Sequence, residues 1–187
     1  MNLANQLTLT RLVLIPVFVI VFYLPFQWAH FVAAAVFTLA GITDWLDGYV
    51  ARKYDQSTPL GAFMDPVADK VMVAVAVVVL VEYHADWLFT IPAVIIISRE
   101  IVISALREWM AELGKRASVA VSYVGKIKTA AQMGSIGLLV AFEPGWYETL
   151  YYLGYAMFYV AAILTLWSMW VYLKAAWPEL MAEPTGE

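Results

Sequence analysis

The sequence predicts an all-α polytopic membrane protein of six transmembrane helices, and three observations predict it. Hydrophobic residues make up 63% of the 187 and charged residues only 14%, where soluble domains run near ~25% charged. Apolar stretches of about 20 residues, the length that crosses a hydrocarbon core of about 30 Å, recur along the chain. Lysine and arginine gather at one end of those stretches and are missing from the turns at the other. The length fits one domain over residues 1–187, with a polar tail after about residue 177. With no cysteine in the chain, disulfides, thiol nucleophiles and thiolate metal sites are excluded.

The six spans are expected at residues 9–26, 28–52, 61–81, 87–110, 119–142 and 150–174. Residues 1–6 form a short juxtamembrane segment without the basic region and small-residue cleavage site of a removable signal peptide. The first apolar stretch is therefore read as a retained helix. Hydropathy alone gives the first, fourth and sixth spans, whereas the second, third and fifth carry charges. Orientation follows from the basic residues. The turns at 25–30, 82–86 and 143–148 contain no Lys or Arg, and all eleven basic residues, from Arg11 to Lys174, lie towards the opposite ends. By the positive-inside rule that side is cytoplasmic, and both termini share it. Trp28, Trp87, Trp146 and Tyr147 fit an aromatic belt on the far side, or simple packing against lipid. His30 and His84 lie there too and are given no role.

The charges inside the second and third spans form a pattern. Asp44 and Asp47 are three apart and Asp65 and Asp69 four apart, so each pair lies on one face of its helix. The two helices are consecutive and antiparallel. At 1.5 Å per residue, Asp44 and Asp47 lie roughly 8–12 Å from Arg52, and Asp65 and Asp69 roughly 6–12 Å from Gly61. Both pairs fall at one depth and can converge. Four intramembrane aspartates cost about 2.5–3.5 kcal/mol each on insertion scales, and close carboxylates cannot all stay ionised without positive charge among them. Lys70 and Arg52 are too few to balance a compact group of four, whereas divalent cations can. An all-oxygen ligand set favours Mg²⁺, Mn²⁺ or Ca²⁺ over Zn²⁺. The plainer alternative is structural ion pairing, Asp69 with Lys70 and Asp47 with Arg52, although adjacent helical residues do not face each other. Gly48, Ala51 and Gly61 extend the acidic faces, and such small residues let helices approach closely or let a flat ligand lie on backbone. Asp55 is read as a solvated turn residue.

Taken together these residues read Asp44-x2-Asp47-Gly48-x2-Ala51-Arg52-x8-Gly61-x3-Asp65-x3-Asp69, and they match the motif of the CDP-alcohol phosphotransferase family at all eight fixed positions. Further segments resemble the bacterial members that make phosphatidylglycerophosphate. These are Asn5-x2-Thr8-x2-Arg11, the run from Gly61 to Lys70, Arg99-Glu100, Ala105-Leu106-Arg107-Glu108, and Gly125-Lys126-Ile127-Lys128-Thr129-x2-Gln132. The similarity covers nearly the whole chain and fades after about Lys174. It implies a six-helix homodimer in the bacterial cytoplasmic (inner) membrane, with its active site facing the cytoplasm. The implied reaction is CDP-diacylglycerol plus sn-glycerol 3-phosphate giving phosphatidylglycerophosphate and CMP. By the same resemblance Asp44, Asp47 and Asp65 would hold metal, as part of a site for two Mg²⁺ or Mn²⁺ ions. Asp69 would join the second metal site and act as general base. Asn5, Thr8, Gly48, Ala51, Arg52 and Gly61 would line the CDP-lipid site. Membrane lipids are the other expected partners, and no nucleic acid is.

An acceptor that carries its own phosphate needs an anion site. Arg99 and Arg107, eight apart, lie close to one helical face, and Arg clamps phosphate bidentately. Lys126 with Thr129, and Lys128 with Gln132, present polar groups on two faces of the fifth span. The candidates for acceptor-phosphate binding are thus Arg99, Arg107, Lys126, Lys128 and Thr129. Arg99 has a second reading, as the partner of Glu100, Glu108 or an aspartate. Lys115, Arg116 and Lys128 have another, as contacts to lipid headgroups. Two other functions fit parts of the pattern. A sister enzyme could use serine, choline or inositol phosphate, but the first two need no acceptor-phosphate site. A divalent-cation channel could also be lined by aspartates, but here the acids sit at one end of two helices with no ionisable path across.

Overall fold

The computed structural model describes residues 3–54, 59–114 and 123–181. Six α-helices make up these residues: α1 (Leu3–Phe22), α2 (Ala29–Tyr54), α3 (Pro59–His84), α4 (Trp87–Glu112), α5 (Tyr123–Ala141) and α6 (Glu148–Leu180). Three are long and apolar enough to cross a membrane. Asn5–Phe22 has a mean hydropathy of 1.8, Trp87–Glu112 of 1.9 and Glu148–Leu180 of 1.7. They are the three that hydropathy alone selected. The acids and bases in α2 and α5 shorten their apolar stretches to Ala29–Asp44 and Ile127–Ala141.

Two helices, α1 and α6, differ most in extent from the sequence expectation, each for a physical reason. The first helix runs from Leu3 to Phe22 instead of 9–26, so residues 3–6 of the expected juxtamembrane segment are helical and continuous with the apolar stretch. Its polar residues Asn5, Thr8 and Arg11 are buried and find partners inside the protein, which removes the reason for leaving the helix. At the other end Pro25 disfavours helical geometry in the residue before it, and the chain turns over residues 23–28. The last helix continues past Lys174 and through Pro178 to Leu180. Tyr172 and Ala176 pack there against Ile103, Leu106 and Met110 of α4, and Pro178 lies so near the end that one carbonyl loses its donor.

The helices close into a ring in the order α1–α2–α5–α6–α4–α3, with α3 also touching α5 across it. Inside lies one apolar core in which Phe18, Phe37, Leu80, Ile96, Leu139 and Phe158 are almost wholly buried. Alanines at positions 33, 40, 76, 93 and 161 also lie in this core, and small side chains let neighbouring backbones come close. Pro92 within α4 removes the N–H that would bond the carbonyl of Leu88, and the Tyr159 hydroxyl of α6 donates to that carbonyl at 2.6 Å. One helix thus repairs a defect in another. At the end of the bundle away from the aspartates, Asp86 caps α4 by accepting from the Leu88 N–H. His84 stacks on Phe89 there, with ring centroids 4.3 Å apart. Trp28, Trp87, Trp146 and Tyr147 are exposed at this end, where Trp28 packs against Trp146.

Candidate active site

The second half of α2 carries Asp44, and the first half of α3 carries Asp65 and Asp69. Between them lies α1, with Asn5, Thr8 and Arg11 spaced three apart on one face and exposed by only 7%, 1% and 1%. That face meets the acids. The Thr8 hydroxyl donates to Asp65 Oδ1 at 2.6 Å, and Arg11 Nη1 lies 2.7 Å from Asp44 Oδ1. Arg11 is sequestered while Asp44 keeps nearly half of its side chain exposed. The guanidinium is therefore buried, and its carboxylate partner is left accessible.

Asp44 opens on a cavity of about 170 Å³ that it shares with Asp69, Arg11, Gly41, Thr129 and Met133. A second cavity, of about 60 Å³, continues from Asp69 to Lys70, Glu100, Lys128, Thr129 and Gln132. Glu100 Oε1 accepts from Lys128 Nζ at 2.7 Å and from Arg99 Nη1 at 3.0 Å. Arg99 Nη2 donates in turn to Ser168 of α6 at 3.0 Å. Lys128 and Arg99 are 5% and 7% exposed. Two buried cations on one carboxylate oxygen leave the group an excess of positive charge next to Asp69. On the other side, an open apolar cavity of about 620 Å³ lies between α2 and α5, lined by Phe37, Ile42, Gly134, Gly137 and Leu138. It shares Gly41 and Met133 with the carboxylate cavity. A Cβ on Gly137 would meet nothing within 4 Å, so the glycine helps to keep this space open.

The remaining expected site residues fall in different places. Gly61 is buried near the start of α3. Arg107 faces α6, where its guanidinium lies 5.2 Å from the Tyr172 ring centre and donates to the Tyr172 hydroxyl at 3.1 Å. Asp47, Gly48, Ala51 and Arg52 lie on the α2 helix and Lys126 on α5, but their side chains are outside the described residues, as are Asp55, Lys115 and Arg116. Three residues beside the acids were not singled out as site residues from the sequence: Arg11, Glu100 and Gln132. For Arg11 a signal existed, because a polar residue every three positions within an apolar helix marks a face that needs polar partners.

Carboxylate oxygens around a cavity of this size suit a hard divalent cation. Asp44 and Asp69 supply them from two helices, and Asp65 lies one turn from Asp69. Among the described residues no three acidic or imidazole side chains are gathered around one point. Arg11 offsets part of the charge that such a cation would otherwise balance.

Comparison with known sequences adds to this geometry. The profile of the CDP-alcohol phosphatidyltransferase family matches residues 1–167. A CDP-diacylglycerol–glycerol-3-phosphate 3-phosphatidyltransferase of Salmonella typhimurium is 57% identical over 180 residues, which is 96% of this chain and 97% of the relative. The protein of the same name from Escherichia coli is 56% identical over the same shares. A match of this extent takes in α1 to α5 and most of α6, so the chain belongs to the CDP-alcohol phosphatidyltransferase family.

Proposed function

We propose that this protein transfers the phosphatidyl group of CDP-diacylglycerol to sn-glycerol 3-phosphate, giving phosphatidylglycerophosphate and CMP. The observation that carries the reading is a row of three adjoining spaces. An apolar cavity, a carboxylate cavity and a buried Lys128–Glu100–Arg99 group follow one another around Met133. They suit, in turn, acyl chains, a pyrophosphate and an anionic acceptor. The relatives whose names state this activity match almost end to end.

In this mechanism the acyl chains lie between α2 and α5, and the pyrophosphate lies against the acids of α2 and α3. Asp44, Asp47, Asp65 and Asp69 would hold Mg²⁺ or Mn²⁺, which when bound would supply the positive charge that a pyrophosphate and departing CMP need. Lys128, steadied by Glu100, attracts the acceptor phosphate. Asp69 takes the proton of the free primary hydroxyl as its oxygen attacks the lipid-bearing phosphorus. One P–O bond forms to glycerol, the P–O bond to CMP breaks, and the proton stays on Asp69. The same reading places all six helices across the bacterial inner membrane with both termini in the cytoplasm. Soluble acceptor and CMP then exchange directly with the cytosol, and the working unit is a homodimer.

The test is direct. Purified protein with CDP-diacylglycerol, Mg²⁺ and radiolabelled glycerol 3-phosphate should move label into the chloroform-soluble fraction, and it should stop doing so in EDTA. Transfer to inositol phosphate instead would assign a sister reaction. Full turnover after verified removal of the metal would sink the metal role alone.

A further inference from the structure

Gln132 of α5 has no part in the mechanism above, yet it is among the most deeply buried polar residues of the protein, at 4% exposure. It lies one helical turn from both Lys128 and Thr129, and with Asp69 and Glu100 these residues line the cavity of about 60 Å³. Its amide oxygen is shut off from solvent and has no hydrogen-bond partner. Such an orphan costs stability and is rare in native proteins. A methionine or leucine would fill the same volume without that cost, so packing does not account for an amide here.

We propose that Gln132 reads the secondary hydroxyl of the acceptor, its side chain turning into the cavity so that the amide bonds the C2 hydroxyl of glycerol 3-phosphate. The inference rests on the acceptor proposed above. Lys128 would face the phosphate, Asp69 the attacking primary hydroxyl, and Gln132 the carbon between them, all around one cavity. Turning the amide over would make it donate to the same hydroxyl, so the role survives either orientation. The consequence is selectivity. A site that hydrogen-bonds a substrate hydroxyl rejects the analogue that lacks it, because its own polar group is then left unpaired.

The experiment compares glycerol 3-phosphate with 3-hydroxypropyl phosphate, which keeps the attacking hydroxyl and lacks the one at C2. Wild-type protein should favour glycerol 3-phosphate by about 100-fold or more in kcat/KM. Gln132→Met should reduce that ratio at least about ten-fold, mainly by losing efficiency with glycerol 3-phosphate, while KM for the CDP-lipid stays unchanged. Equal use of the two acceptors by the wild type overturns the proposal without any variant. So does an unchanged ratio in Gln132→Met, which would mean that the amide binds water or only packs. If the Met variant does not accumulate, Gln132→Asn withdraws the amide by one methylene and should also reduce the ratio, with no change again counting against the role. Transfer to neither acceptor by the wild type would instead refute the proposed function.

Discussion

Arg11 changes how the acidic group is balanced. Asp44 is held by a guanidinium that is almost fully buried, and Asp65 accepts a hydroxyl hydrogen bond from the same face of α1. Asp69, by contrast, is exposed and borders both polar cavities, which is the position a proton acceptor needs. Asp69→Asn should abolish turnover while CDP-lipid still binds, since shape is kept and basicity is removed. Asp44→Asn should instead weaken metal and lipid binding together. Titration calorimetry of both variants with metal and CDP-lipid separates the two roles. If Asp69→Asn loses metal and lipid as badly as Asp44→Asn, then Asp69 is chiefly a ligand. The acid pairs themselves are legible in the sequence, because spacings of three and four translate directly into one helical face. Their partners are not. Arg11 meets Asp44 only because α1 packs on α2, and Lys128 meets Glu100 across two helices, so neither contact has a local signature.

Single helices show the same division. The number of apolar stretches and their polarity are local properties and carry over to α1 through α6. The helix ends depend on tertiary partners, which is why α1 starts earlier and α6 ends later than their apolar composition indicates. One close helix contact is also set by a residue that hydropathy ignores. At Gly154 of α6 an added Cβ would stand 2.9 Å from Leu138 Cβ and 3.2 Å from Leu139 Cγ of α5. Neither is the far end of a flexible chain, so α5 and α6 would have to separate. Gly154→Val should destabilise the bundle by about 1–3 kcal/mol, seen as a lower unfolding temperature in detergent. An unchanged transition would mean that the two helices can part at little cost, contrary to the packing described.

At the scale of the whole molecule, six consecutive antiparallel helices bring the start of α1 and the end of α6 to one side. Among the described residues three helices are long and apolar enough to cross a membrane, while α2, α3 and α5 carry acids or bases that interrupt their apolar runs. Their places follow from the ring in which each lies between neighbours. Because the chain has no cysteine, one introduced thiol reports one position without background. In intact cells, Glu148→Cys should react with an impermeant maleimide added from outside, and Glu112→Cys only after the membrane is opened. Labelling of Glu112→Cys from outside would invert the proposed orientation.

The apolar cavity between α2 and α5 opens where Thr38 and Ile42 reach the outer surface of the helix ring. For a helix bundle surrounded by lipid, such an opening faces sideways, into the plane of the membrane. A lipid arriving there has diffused in two dimensions, and the concentration that governs its capture is its number per unit area of bilayer. The water-soluble acceptor is counted per unit volume as usual. The protein thus joins a surface quantity to a bulk quantity, and a cell can alter the supply of one substrate simply by making more membrane.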